Sequence, residues 1–253
     1  MQTQIKTAPE IKAMRISGGI LASVLATLRD ELEPGMTSKA LAIRAAQEVK
    51  ALGGKPAFLG YQGFPDVICI SINEEIVHGI PSPFRIIKDG DLVGLDFGVV
   101  YDGMTTDGAI TVIAGRPKQK GHIRLVDRTA EALRIGIDAV HDKVRTGDIG
   151  AAIEGYLKQY QYGIVRDLVG HGVGHHLHED PNIPNYGRAG SGPWLEKGMT
   201  IAIEPMVTLG TDKIVQAEDG WTIRSADGSY AAHFEHTVLI TEEGAEILTV
   251  VRS

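Results

Sequence analysis

One histidine and four carboxylates in this sequence have the chemistry that a pair of divalent cations would require. Each lies in a stretch predicted to be a β-strand or a tight turn, among small or apolar neighbours: Asp96, Asp107, His171, Glu204 and Glu235. A carboxylate on a buried strand is costly unless an opposite charge neutralises it. Two divalent cations would balance the four negative charges. Oxygen ligands with one imidazole suit manganese, iron, cobalt or zinc.

Each of these residues also has an ordinary interpretation when it is taken alone. Asp102-Gly103 between Asp96 and Asp107 predicts a hairpin turn that could bring both carboxylates to one side, but one of the two could instead cap a turn while the other is solvated. Glu204 and Glu235 could lie on an exposed edge of a sheet. The metal site is therefore predicted from the set of five residues and not from any single one.

Histidines are densest in the glycine-rich stretch from Gly170 to His178. Flanking glycines allow the backbone to approach a ligand closely. Histidine supplies either a ligand nitrogen or a proton donor and acceptor near neutral pH. His175 and His176 are predicted to be ordinary surface or hydrogen-bonded histidines, while roles for His171 and His178 depend on the family resemblance given below.

Hydrophobic periodicity and turn residues predict helices, then strands, in an order that occurs twice. The predicted helices cover 9–32, 38–52, 123–144 and a stretch capped by Asp148 that ends near 160; the predicted strands cover 67–72, 75–80, 92–101, 109–113, 198–207, 220–224 and 232–240. This order predicts one catalytic domain, residues 1–253, with an internal repeat of roughly 9–114 and 121–250.

Two local matches support the repeat. Residues 88–96 resemble 196–204, with a turn glycine six residues before a carboxylate in each, and His78-Gly79-Ile80 resembles residues 171–173. Two such halves would place paired carboxylates around a cleft. Alternation along the strand 92–101 puts Asp96 on a face with small residues and the large apolar side chains on the other face.

Composition and charge exclude several classes of protein. The 253 residues are 43% hydrophobic and 23% charged, which is typical of globular proteins, and the net charge of −7 without a basic block argues against nucleic acid as a substrate. The only cysteine, Cys69, excludes an intrachain disulfide. No signal-peptide core and no apolar run of about 20 residues is evident, so we expect a cytoplasmic protein without a membrane span.

From about Glu10 to Val250 the chain resembles the methionine aminopeptidases of the short type I kind. The segments that carry the resemblance are 58–65, 69–74, 77–81, 170–181, 203–206 and 233–237. The resemblance implies an α+β pita-bread fold, with two pseudo-symmetric halves of helices packed on a curved, mostly antiparallel sheet. It also implies a monomer that removes the initiator methionine from nascent proteins and peptides, preferring a small second residue. It leaves association with the ribosome open.

The resemblance also implies a role for each site residue. Asp96, Asp107, His171, Glu204 and Glu235 would hold two divalent ions, with Asp107 and Glu235 bridging them. Glu204 would also carry the proton of the attacking water, and His78 and His178 would bind the substrate and stabilise the tetrahedral intermediate or the leaving group. The remaining positions would line the pocket for the methionine side chain: Tyr61, Phe64, Cys69, Leu177 and Trp221.

Two departures from the family pattern affect these expectations. The residues beside Asp107 are unusual, with 104–106 reading Met-Thr-Thr and 108–110 reading Gly-Ala-Ile, so its surroundings and the metal preference could differ. Leu177 stands where an aromatic residue is common, which predicts a wider pocket. The alternatives are a proline-specific aminopeptidase or prolidase, which usually has an additional N-terminal domain, and a non-catalytic binding module, which would typically have lost ligands.

Overall fold

The computed structural model describes residues 3–251, which form four α-helices and fifteen strands. The helices are α1 (Ala8–Glu31), α2 (Ser38–Ala51), α3 (Lys120–Asp138) and α4 (Thr146–Leu157). The strands are β1 (Lys55–Pro56), β2 (Cys69–Ile72), β3 (Glu75–Val77), β4 (Leu92–Tyr101), β5 (Met104–Ile113), β6 (Gly163–Ile164), β7 (Gly170–Gly172), β8 (Glu179–Ile183), β9 (Thr200–Ile203), β10 (Met206–Thr208), β11 (Ile214–Gln216), β12 (Ile223–Ser225), β13 (Ala231–His233), β14 (Glu235–Ile240) and β15 (Ala245–Ile247). Tyr61–Gly63 and Lys158–Tyr160 form short 3-10 turns.

One nine-stranded sheet dominates the structure. Its order is β1-β4-β5-β14-β9-β7-β8, with β2 paired to β4 and β15 paired to β14. Every one of these pairs is antiparallel. Two three-stranded sheets, β13-β10-β6 and β11-β12-β3, lie beside it. The α+β class and the mostly antiparallel sheet predicted from the sequence are therefore confirmed.

The hairpin of β4 and β5 has the turn that the sequence predicts. Tyr101 pairs with Met104, which leaves Asp102 and Gly103 as a two-residue turn with φ values of 49° and 76°. Positive φ at both positions is the requirement of a type I′ turn, whose twist matches that of the strands. The register places Asp107 opposite Gly98, so that Asp96 and Asp107 lie on the same face of the hairpin.

Each pair of helices has its own hydrophobic core. The helices α1 and α2 pack through Leu21, Leu25 and Leu41 in a cluster that includes Leu95 and Phe97, both fully buried on β4. This confirms the predicted alternation, since Asp96 between them lines a cavity on the other face. A second cluster joins α3 and α4 to β9 and β14. The origin of the two halves by duplication stays a prediction.

The structure also corrects several predicted boundaries. The strand predicted for 109–113 begins at Met104, and the helix predicted to reach 144 ends at Asp138. Asp148 lies in the first turn of α4, and the N-cap is Arg145. The carboxylate of Asp148 accepts a hydrogen bond of 3.0 Å from the backbone N–H of Arg145. The strand predicted for 198–207 divides into β9 and β10 at Pro205, which has no N–H to donate.

Helix α1 is more apolar than the sequence analysis anticipated. Its 24 residues include an 18-residue window with a mean hydropathy of 1.4, which meets the length and composition of a membrane span. Half of that window is buried within the fold. The buried face includes Leu21, Val24 and Leu28, which belong to the cluster on β4. Packing against the sheet therefore accounts for the apolar residues of α1.

Two glycine-to-alanine changes should have opposite effects on stability. Neither Gly103 nor Gly19 has any atom within 4 Å of the position that a new Cβ would occupy. Gly103→Ala should lower the free energy of unfolding by about 1–2 kcal/mol, because its φ is left-handed. Gly19→Ala in α1 should raise it by up to about 1 kcal/mol through helix propensity. Urea unfolding measures both; a free energy of unfolding that is unchanged or raised in Gly103→Ala would contradict the assigned turn.

Candidate metal centre and substrate pocket

Five neighbouring strands bring the five predicted ligands to one cavity. In the order of the sheet, Asp96 lies on β4, Asp107 on β5, Glu235 at the start of β14, Glu204 directly after β9 and His171 on β7. All five line the same cavity, which has a volume of about 150 Å³. Residues separated by up to 139 positions in the chain thus meet because their strands are adjacent. Their assignment as metal ligands stays a prediction.

The donor atoms lie close enough together to share cations. Nε2 of His171 is 3.6 Å from Oε1 of Glu204 and 4.0 Å from Oδ2 of Asp107. One ligand atom each from Asp107, His171 and Glu235 lie within 4.8 Å of one another. Nδ1 of His171 is 2.9 Å from the carbonyl oxygen of Gly172. A proton on Nδ1 would be donated to that carbonyl, which leaves the lone pair of Nε2 for a metal.

Burial raises the pKa of all four carboxylates, and repulsion from neighbouring carboxylates adds to this effect for three of them. Burial, with neighbouring carboxylates as the second cause, raises the pKa of Asp96 and Glu235 well above the usual range. Burial raises the pKa of Glu204 to about 8, and burial with the charge of Glu204 does the same for Asp107. Oδ1 of Asp96 and Oε1 of Glu235 are buried without a hydrogen-bond partner among residues 3–251. Divalent cations would supply the missing partner and the missing positive charge, so the donor set fits such ions.

The unusual residues beside Asp107 form contacts with three other elements. Asp107 and Thr237 of β14 exchange hydrogen bonds of 2.9 and 2.8 Å between the backbone groups of Asp107 and the Thr237 hydroxyl. The hydroxyl of Thr106 lies 2.9 Å from that of Ser17 in α1. The N–H of Thr105 donates to the carbonyl of Gly174 at 2.7 Å. This stretch therefore fixes the backbone of Asp107, and its effect on metal preference stays a prediction.

An apolar pocket lies beside the carboxylates. Its walls are the predicted residues Tyr61, Phe64, Cys69, Leu177 and Trp221. The rings of Phe64 and Trp221 meet edge to face, with centroids 5.2 Å apart. Cys69 pairs with Asp96 across β2 and β4, and burial raises the pKa of its thiol, so it remains a neutral wall residue. The pocket is suited to an unbranched apolar side chain.

The two predicted catalytic histidines also line this cavity. Nδ1 of His178 is 2.8 Å from the hydroxyl of Tyr61, and the ring of His178 lies 4.3 Å from that of His171. His78 has a left-handed φ of 60°, which is uncommon for a residue with a side chain. Burial first, then the charges of nearby histidines, lowers the pKa of His78 to about 4. Burial also lowers the pKa of His178, so both histidines are available as neutral groups at pH 7.

Sequence reasoning missed three residues of the site. Phe58 and Gln62 complete the lining of the cavity, and both lie in the segment 58–65 that carries the family resemblance. Nε2 of His233 is buried, has no hydrogen-bond partner within residues 3–251 and lies 3.6 Å from Oε2 of Glu204. Its position two residues before Glu235 was the available signal.

The remaining histidines of the glycine-rich stretch are outside the cavity lining, as predicted. Nε2 of His175 lies 2.8 Å from Oε1 of Glu10 in the first turn of α1. His176 is exposed.

Residues 12–242 match the model of metallopeptidase family M24. The chain belongs to this family. It is 44% identical over 245 residues to a methionine aminopeptidase of Mycoplasma capricolum, with 97% of each chain covered. It is similar to the crystal structure of methionine aminopeptidase from Thermotoga maritima, with a TM-score of 0.96 and 45% sequence identity. That match covers 98% of this chain and 100% of the other. Prolidase from Pyrococcus furiosus is a more distant neighbour, with a TM-score of 0.79 and 26% sequence identity. That match covers 98% of this chain and 66% of the prolidase.

These neighbours confirm the pita-bread fold that the resemblance implied. The family match also agrees with the chemistry of the site, because a metallopeptidase requires metal-binding side chains such as the carboxylates and the histidine that line this cavity.

The stability of the metal-free protein should fall between pH 7 and pH 8. The pKa values of Asp107 and Glu204, at about 8, exceed their unfolded values near 4. The folded state therefore holds more protons than the unfolded chain in this interval, so the free energy of unfolding falls by about 1 kcal/mol per group. Burial lowers the pKa of His171 to about 3, so its contribution to stability changes mostly between that value and the unfolded value of about 6.5.

Urea unfolding in the presence of a chelator measures this dependence. Glu204→Gln should reduce the slope between pH 7 and pH 8. Manganese should stabilise the protein more at pH 8 than at pH 6, because ligands must be deprotonated before they bind. A metal-free protein whose stability is constant from pH 7 to pH 8 would contradict the buried carboxylate cluster.

Proposed function

We propose that this chain is a metal-dependent aminopeptidase that releases N-terminal methionine from peptides and nascent chains in the cytoplasm. One observation carries the proposal: a cluster of four buried carboxylates and a histidine shares a single cavity with an apolar aromatic pocket. An aminopeptidase needs both parts, since it must hydrolyse a peptide bond next to the side chain that it recognises. The named relatives, which are methionine aminopeptidases, support this assignment.

In this proposal, two divalent ions would be held by Asp96, Asp107, His171, Glu204 and Glu235. Manganese, iron, cobalt and zinc are the candidates that match the donor set. When bound, such ions supply Lewis acidity toward the scissile carbonyl and toward water. The protein fixes the position of the donors through the register of its five strands.

Glu204 moves the proton in the proposed reaction. Its carboxylate lies 3.6 Å from Nε2 of both His171 and His233, so one oxygen faces a ligand and the other faces a buried imidazole. This arrangement restrains the carboxylate while it accepts a proton from water and passes it to the leaving amine.

His178 and His78 act on the substrate. If the hydroxyl of Tyr61 donates to Nδ1 of His178, the remaining proton of the neutral ring is on Nε2 and can be donated to a developing oxyanion. His78, on the strained backbone after β3, is proposed to contact the peptide beside the scissile bond. Tyr61, Phe64, Cys69, Leu177 and Trp221 bind the methionine side chain, where sulfur–aromatic contacts favour a thioether.

Peptide hydrolysis tests the proposed activity. The protein loaded separately with manganese, iron, cobalt or zinc should release methionine from Met-Ala-Ser and should act much more slowly on Met-Lys-Ser. Mass spectrometry identifies the products. Failure to cleave Met-Ala-Ser with any of the four metals would refute the proposal, and cleavage of an X-Pro dipeptide instead would favour the prolidase alternative, to which the structure is also related.

Two alanine variants should separate catalysis from metal binding. His178→Ala should retain metal and lose at least about 100-fold in kcat, because a positioned proton donor contributes that much. Asp107→Ala should lose metal as well as activity. His176→Ala, on the same loop but outside the cavity lining, is the matched control and should resemble the wild type. Elemental analysis and peptide turnover measure the two properties; unchanged metal affinity in Asp107→Ala would show that the ligand assignment is wrong.

A further inference from the structure

The N-terminal segment, residues 3–7, is hydrogen-bonded to the hairpin that carries His171 and His178. The backbone N–H of Thr3 donates to the carbonyl of Asp180 at 2.6 Å, and that of Lys6 donates to the carbonyl of Gly198 at 2.8 Å. The segment therefore contacts the hairpin of β7 and β8 on one side and the turn before β9 on the other.

Lys6 is an unusual residue to find in the interior. Its side chain is 0% exposed, and its ammonium makes three hydrogen bonds: 2.8 Å to the hydroxyl of Thr3, 3.0 Å to the carbonyl of Gln4 and 3.2 Å to Oε2 of Glu179. Three donors thus meet three acceptors, which is the complete set for an ammonium. Burying a lysine is costly, so such a residue requires a structural or functional reason.

The other end of this ion pair directly follows the loop that carries the proposed catalytic histidine. Glu179 follows His178 in the chain, its side chain is 2% exposed, and its Oε1 accepts a hydrogen bond of 2.9 Å from the N–H of His176. One carboxylate therefore links Lys6 to both ends of the turn 176–179. We define the histidine loop as residues 173–178, between β7 and β8.

The glycines of this hairpin fit around the N-terminal segment. A Cβ at Gly174, where φ is 148°, would lie 2.3 Å from Cε of Lys6, and a Cβ at Gly172 would lie 2.8 Å from Cβ of Thr3. The carbonyl of Gly174 in turn accepts the N–H of Thr105, two residues before Asp107. The side chain of Lys6 thus packs against Gly174, the residue of the histidine loop that is hydrogen-bonded to β5.

We propose that Lys6 and Glu179 are positioning residues, which fix the histidine loop so that His178 is held in place for the reaction. The kinetic part of this inference rests on the proposed function, whereas its structural part does not. Neither residue lines the cavity, so the pair would not contact a substrate bound there. It acts on the reaction through the backbone that connects Glu179 to His178.

The test uses the double variant Lys6→Met/Glu179→Gln in the full chain. It replaces both charges by neutral side chains of similar length, and so avoids the unpaired buried charge that could unfold either single variant. The control is Lys197→Met/Glu242→Gln, which removes an exposed lysine–glutamate pair with a 2.7 Å contact. Amide hydrogen exchange within 173–178 should become at least about tenfold faster in the double variant, while exchange in β4 should be unchanged in both proteins.

Turnover of Met-Ala-Ser supplies the second measurement. The double variant should lose about 10- to 100-fold in kcat with little change in KM and with its metal content retained. In a His178→Ala background, the same pair of changes should have almost no additional effect on kcat, because the two alterations remove the same contribution. A purely structural role would reduce activity equally in both backgrounds.

The outcomes are distinguishable. Faster exchange confined to the histidine loop, together with a non-additive loss of kcat, supports the proposal. Unchanged exchange in 173–178, or losses that add fully with His178→Ala, would overturn it. If the wild type releases no methionine, the proposed function fails, and the exchange measurement alone then decides whether the pair fixes the loop.

Discussion

The structure is constrained above all by the repulsion among four carboxylates that are buried in one cavity. Burial raises the pKa of Asp96, Asp107, Glu204 and Glu235, and the neighbouring carboxylates raise it further for all but Glu204. A single helix or turn could not hold these carboxylates together, because hydration in water is more favourable for each of them than burial beside the others. A wide antiparallel sheet can do so because its backbone hydrogen bonds are independent of the side chains. The helices packed on the other face then help to hold the strands together.

The carboxylate face of the sheet also depends on small neighbours. Asp107 lies opposite Gly98, and a Cβ at Gly98 would be 2.7 Å from the ring of Phe58, so the absence of a side chain there lets this ring pack against the sheet beside the cavity. The same strand carries Leu95 and Phe97 on its other face, where they are completely buried. One ten-residue strand therefore separates a charged cavity from a hydrophobic core, with glycine and aspartate on one side and large apolar residues on the other.

The local features of this fold could be predicted from the sequence, and the long-range ones could not. The Asp102-Gly103 turn and the alternation around Asp96 were confirmed because both follow from the geometry of a single hairpin. The division of a predicted strand at Pro205 is also local, yet it was missed because apolar residues continue on both sides. The contacts of Lys6 with Glu179 and of His233 with Glu204 join residues that no sequence pattern connects, so only the folded structure reveals them. The family resemblance supplied the candidate site, and all of its members line the cavity.

The two parts of the site are held in place by different means. The proposed metal ligands lie on or directly beside strands, so their spacing is set by sheet register. Apart from Cys69 on β2, the proposed substrate contacts lie on connecting loops. Individual side-chain interactions hold the loop that carries His178: Tyr61 contacts His178, and Lys6 contacts Glu179 beside it. A change in one loop interaction should therefore move a substrate contact without changing the spacing of the ligands. On the proposed function, the fold thereby makes the affinity for metal and the rate of turnover separable properties, and the N-terminal segment belongs to the second.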